Sequence, residues 1–205
     1  LDTMISPSYT SAVAQAIQLP SVSGKDINMA LFEFSKDHPE NLKNIIENLT
    51  LIKSADFDIC ILGSSEKEFG VKRNIHIWLK PKDLENGNLM ILMGYVIMGH
   101  PEWRHAEIKI SAVFPEAEIT QVESDLLERI KLGRLPISPH NLELITQKQD
   151  VNIRDIINTK SRDADLTVLG FRPEAIKQLG EEVFTGYDEI GNVLFVNANR
   201  HKIIE

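Results

Sequence analysis

The chain has 205 residues, is 42% hydrophobic and 25% charged, and carries a net charge of −8. These values suit a globular protein of one large domain or two small ones, with a core that needs no disulfide staples. The acidic balance argues against a nucleic-acid surface: neutralising phosphates takes clustered cations, and Lys80/Lys82 and Arg200/Lys202 are isolated pairs.

Cys60 is the only cysteine, so no intramolecular disulfide forms and a reducing, cytosolic compartment is expected. Its apolar neighbours make it a core residue rather than a reactive thiol. No apolar run approaches the ~20 residues a membrane-spanning helix needs. Leu1 to Thr10 has no basic segment and no initiator methionine; it is expected to be a piece of a longer chain, not a signal peptide.

In chain order, Ser6-Pro7-Ser8 opens a helix whose apolar face holds Val13 and Ile17, ended by Pro20. Ile27 to Phe34 reads as a strand. Leu42, Ile45, Ile46, Leu49 and Ile52 recur at helical spacing, and Phe57 to Leu62 is a further strand. Residues 1–63 therefore read as a partial α/β lobe. The polar stretch 64–72, with Gly70, reads as a linker.

Residues 73–205 read as a second, complete lobe. Asn74 to Leu79 is a strand. Asp83 to Asn88 is expected to be a polar turn around Gly87, followed by an apolar helix over Leu89 to Met98. Glu107 to Phe114 is the next strand. Strand, helix, strand over about 40 residues is a βαβ unit and implies parallel pairing. Ile119 to Ile130 predicts a helix with Gly133 as its C-cap, and Leu142 to Ile145 a strand. Val151 to Ile157 predicts a helix capped by Asp150. The strand Leu166–Leu169, a helix from Pro173 to Leu179 and the strand Val193–Val196 complete the pattern. Five strands alternating with helices predict an α/β, doubly wound, mostly parallel sheet.

Several of these segments together resemble the C-terminal cytoplasmic domain of the cation–chloride cotransporters. That family has a strand of the I-D-V-W-W-L kind, an acidic-glycine turn, a G-L-T-L-L-I-P-Y-L-L helix, a tryptophan and a C-K-I-R-V-F strand. The corresponding stretches here are Ile75 to Leu79, Asp83 to Gly87, Asn88 to Ile97, Trp103, and Ala106 to Val113. Gly94-Tyr95 stands where the family has Pro-Tyr. Phe57 to Leu62 is similar to its F-x-Y-G-V-C-I-L, cysteine included. The resemblance implies two lobes similar to universal stress proteins, here the partial first and the whole second. It also implies a homodimer and a transmembrane domain of the same polypeptide as partner. The place it implies is the cytoplasmic side of the cell membrane, and the role is assembly and regulation of a prokaryotic-type carrier, with ion binding elsewhere.

No catalytic, cofactor or metal residues are assigned. Universal stress proteins that bind ATP use a G-x-x-G, nine residues, then G-[S/T] pattern; here Pro173 follows Gly170, and Gly180 and Gly186 do not restore the spacing. Proline removes an N–H where a phosphate needs one. His100 and His105, five apart around Pro101, are poorly spaced for a shared zinc, and the segment reads as a surface loop anchored by Trp103. No serine has the nucleophile context, and no acid pair suits acid–base work. Met90, Met93 and Met98 read first as core. With Tyr95 and Trp103 they are also the candidate interface. The expectation is a transporter's regulatory domain, not an enzyme. The alternatives are a free-standing nucleotide-binding protein of the universal stress type, the tail of an amino-acid permease, and an enzyme on the same fold.

Overall fold

The computed structural model describes residues 5–19, 27–81, 84–131, 138–147 and 151–200. Its strands are β1 (Met29–Ser35), β2 (Asp58–Ser64), β3 (Asn74–Leu79), β4 (Glu107–Pro115), β5 (Leu142–Gln147), β6 (Leu166–Gly170) and β7 (Asn192–Asn197). The helices are α1 (Tyr9–Ala16), α2 (Leu42–Ser54), α3 (Leu84–Met98), α4 (Glu116–Lys131), α5 (Ile153–Lys160) and α6 (Pro173–Leu179). All seven strands join one sheet in the order β1-β2-β7-β6-β3-β4-β5. Every neighbouring pair is parallel except β2–β7, which runs antiparallel with Ile61 opposite Phe195. The fold is thus the α/β, mostly parallel, doubly wound sheet that the sequence predicts.

Helices on both faces explain why the central strands are mostly apolar: β6 and β7 are buried along their whole length, with polar side chains only at Thr167, Asn192 and Asn197. One face carries Trp78, Val113, Leu169 and Phe195 beneath α2 and α5. The other carries Ile75, Ile77, Ile108 and Ile110 beneath α3 and α4.

The antiparallel β2–β7 pair divides the sheet into two sets that resemble each other locally. β1–α2–β2 and β6–α6–β7 are both βαβ units. In each, a Pro-Glu pair follows the first strand, Pro39-Glu40 and Pro173-Glu174. Among the described strands nothing pairs with the outer edge of β1, and Leu31 there is 66% exposed.

Residues 64–72 run from β2 to β3 past the starts of β7 and β6, and side chains from both hold them. Asp165, just before β6, accepts from the Val71, Arg73 and Asn74 N–H groups at 3.0, 2.6 and 2.9 Å. Asn192, the first residue of β7, accepts from the Ser65 N–H at 2.9 Å and donates to the Glu68 carbonyl. Gly70 has φ +50, and a Cβ there would lie 2.3 Å from Asp165 Oδ1. Lys36, after β1, donates to the carbonyls of Tyr187, Ile190 and Gly191 before β7.

Two helix starts differ from the sequence reading. α3 begins at Leu84, so the expected polar turn around Gly87 is its first turn and a half. The glycines in it serve close approach to the sheet. A Cβ on Gly87 would be 3.3 Å from Leu79, and one on Gly94 would be 3.0 Å from Ile108 and 3.2 Å from Ile77. Each glycine costs a helix about 1 kcal/mol. Burying Leu89, Met90 and Ile91, at about 1.5–3 kcal/mol each, outweighs that cost. α4 begins at Glu116, because Glu116 and Glu118 suit the positive end of a helix. The expected caps Gly133 and Asp150, and Asp83 of the expected turn, lie outside the described residues. Asn152 caps α5, its side chain accepting from the Arg154 N–H at 2.9 Å.

Candidate functional site

α3 is the element whose composition is hardest to explain by folding alone. No residue from Asn86 to Gly99 is charged. A helix on the surface of a globular protein normally carries a charged outer face. The structure divides the five interface candidates. Met90 (0% exposed) and Trp103 (7%) lie in the core, and Trp103 meets the Phe69 ring edge-on at 5.7 Å. Met93, Tyr95 and Met98 are half-buried and pack on the same cluster. Burial raises the Tyr95 phenol's pKa above its ordinary value. Two residues that the sequence reading did not single out are the open ones: Leu92 at 43% and Val96 at 60% exposure. Their four-residue spacing puts them on one stripe of the helix, the signal that would have found them. The patch is therefore Leu92 and Val96, flanked by Met93, Tyr95 and Met98.

The other place to examine is the switch point between β3 and β6, where doubly wound sheets hold ligands at the strand C-termini. Side chains of this chain engage the backbone there. Asn86, in the first turn of α3, donates to the Phe171 carbonyl at 2.9 Å and accepts from the Ala198 N–H at 2.8 Å. Asn197 donates to the same carbonyl at 3.0 Å. The Lys80 ammonium lies 3.4 Å from the Gly170 carbonyl. Phe171 is buried against Phe184, ring centres 5.2 Å apart. Pro173 opens α6 and offers no N–H. Gly180 (φ +56) ends that helix, and Gly186 (φ +78) stands against Arg154.

No family model matches the sequence, and no curated protein is similar to it. Solved structures do share its fold. The cytoplasmic domain of a prokaryotic cation chloride cotransporter superposes with a TM-score of 0.60 at 14% identity, over 95% of this chain and 71% of that one. A functionally unknown protein from Pseudomonas aeruginosa gives 0.53 at 16% identity, over 95% of this chain and 69% of that one. At these identities the likeness is one of fold.

The remaining candidates resolve into local contacts. His100 Nδ1 accepts from the Glu102 N–H at 3.3 Å, and the Arg104 Nε–H donates to His105 Nε2 at 2.9 Å. Among the described residues, no three His, Cys, Asp or Glu side chains converge as metal ligands would. No helix among them is long and apolar enough to cross a membrane. The Cys60 thiol is fully buried, and burial, with Asp58 nearby, pushes its pKa up to about 12.

Proposed function

We propose that the chain is a regulatory and assembly domain of a secondary ion transporter of the cation–chloride cotransporter type. In this reading it lies on the cytoplasmic side of the membrane, joined to the transmembrane domain of its own polypeptide. It dimerises and catalyses nothing. The observation that carries the reading is the superposition of 95% of this chain on such a cytoplasmic domain at a TM-score of 0.60. The charge-free run of α3 from Asn86 onward, with Leu92 and Val96 open, supplies a surface for contact with a membrane domain or a second copy.

The test is the natural reading frame that encodes Leu1. Ten to twelve hydrophobic segments of about 20 residues upstream of it are the expected result. A frame opening with methionine near Leu1 overturns the reading.

A further inference from the structure

On the α5 face of the sheet, at the starts of β3, β4 and β5, a cavity of about 190 Å3 has Asn74, His76, Glu107, Lys109, His140 and Glu143 among its lining residues. This is the end of the strands opposite the switch point.

The chemistry begins in the core behind it. The Trp78 Nε1–H donates to Ser161 Oγ at 2.8 Å, and Ser161 is fully buried. Ser161 Oγ lies 3.1 Å from His76 Nδ1. With one lone pair taken by the indole, the serine's own proton needs an acceptor, and His76 Nδ1 is the only one within reach among the described residues. A buried hydroxyl left without an acceptor is costly, so the serine donates and Nδ1 accepts. The neutral imidazole must then carry its proton on Nε2. Nδ1 faces inward, so Nε2–H is directed away from the core, with no partner among the described residues. Burial, then the Lys109 charge, lowers the His76 pKa to about 4, so at neutral pH the ring is an uncharged donor.

Beside it, Lys109 lies 2.7 Å from Glu143, and Lys160 binds the other oxygen of the same carboxylate. Within this triad two ammonium groups share one carboxylate, so one positive charge is left over, although the Glu107, Asp163 and Asp165 carboxylates stand nearby. A fixed N–H donor next to an incompletely neutralised lysine is the pairing that binds an oxyanion, through one hydrogen bond and one charge-assisted bond.

We propose that this groove binds a small oxyanion, a carboxylate or a phosphate, held by His76 Nε2–H and the Lys109 ammonium. The inference stands apart from the transport reading, since it rests on these side chains alone. Glu107, Asp163 and Asp165 nearby oppose the anion and keep binding weak, with Kd on the order of 1 mM.

The test is nitrogen NMR of the imidazole rings in the whole chain. Sodium phosphate and, separately, sodium acetate are titrated at an ionic strength held constant with sodium chloride. His76 is expected to show the Nε2–H form in the free protein, and its Nε2 resonance to shift and saturate with one or both anions. Saturation with phosphate alone assigns a phosphate site; with acetate alone, a carboxylate site. Lys109→Gln, at a partly exposed position, is expected to weaken binding at least about tenfold while the amide spectrum stays folded. An Nδ1–H form in the free protein overturns the proposal. So does a shift shared by His38 and His100, no saturation by about 50 mM, or unchanged binding in Lys109→Gln.

Discussion

The ammonium of Lys36, just past β1, sits 2.6 Å from the Tyr187 carbonyl, with Ile190 and Gly191 accepting at 2.7 and 3.0 Å. The contact fastens the first strand set to the turn that feeds β7. Burial lowers the Lys36 pKa, while Asp188 and Asp37 pull it up. Removing the ammonium leaves three carbonyls short of a donor in a half-buried place. Lys36→Met is expected to destabilise the fold by about 2–3 kcal/mol, read as a lower urea midpoint with an unchanged slope.

Gly70→Ala is expected to cost about 3 kcal/mol. The added methyl needs a left-handed φ and meets Asp165 Oδ1, which then loses its hold on the Val71, Arg73 and Asn74 amides. Asp165→Asn, which keeps the shape and weakens the acceptor, should lose less in the same denaturation experiment.

Acid should weaken the protein through His76. Its pKa lies at about 4 in the fold against 6.5 for the ordinary side chain, lowered by burial and Lys109 against the pull of Glu143, Asp163 and Asp165. Between those values the unfolded chain binds a proton that the folded one refuses, so stability falls as pH drops from about 6.5 to about 4. The loss is on the order of 2 kcal/mol once screening at the open side of the ring is allowed for. Denaturation midpoints of His76→Gln should show a shallower fall across that window.

Cys60 should resist thiol reagents while the protein is folded. With its pKa near 12 and no exposure, almost no thiolate is present at neutral pH. Labelling by a disulfide reagent is expected to follow the unfolding rate and to become fast in denaturant. Fast labelling of the folded chain would contradict the burial.

Val96→Lys tests the α3 patch. At 60% exposure the change should leave stability within about 0.5 kcal/mol. Under the proposed function it should reduce self-association, or contact with a membrane domain, measured by sedimentation and by transport. Unchanged assembly would remove α3 from the proposed interface.

Periodicity made the strands and most helices legible, because residues such as Ile45, Leu49 and Ile52 repeat at the spacing their burial requires. It misplaced the start of α3, since Asn86, Gly87 and Asn88 look like a turn when their neighbours in space are unknown. Gly87 is there for Leu79, and Asn86 for Phe171 and Ala198, all distant in sequence. The antiparallel β2–β7 pair was hidden for the same reason: nothing in either strand's own alternation reports its partner's direction. Of the methionines singled out, Met90 faces the core while Met93 and Met98 are half-buried, because an apolar run without polar punctuation gives no phase.

The reversal of direction at β2–β7 also decides what residues 64–72 are mechanically. β2 ends on the side of the sheet where β3 begins, so the chain passes directly beneath two strands without climbing back over a face. Two strands at about 4.8 Å spacing set a span of roughly 15 Å, and Asp165 and Asn192 fasten the segment on the way. A stretch whose composition suggests a flexible tether is thereby a strap drawn along the sheet's lower rim. Force applied to the first strand set would pass through it, and through Lys36, into the starts of β6 and β7.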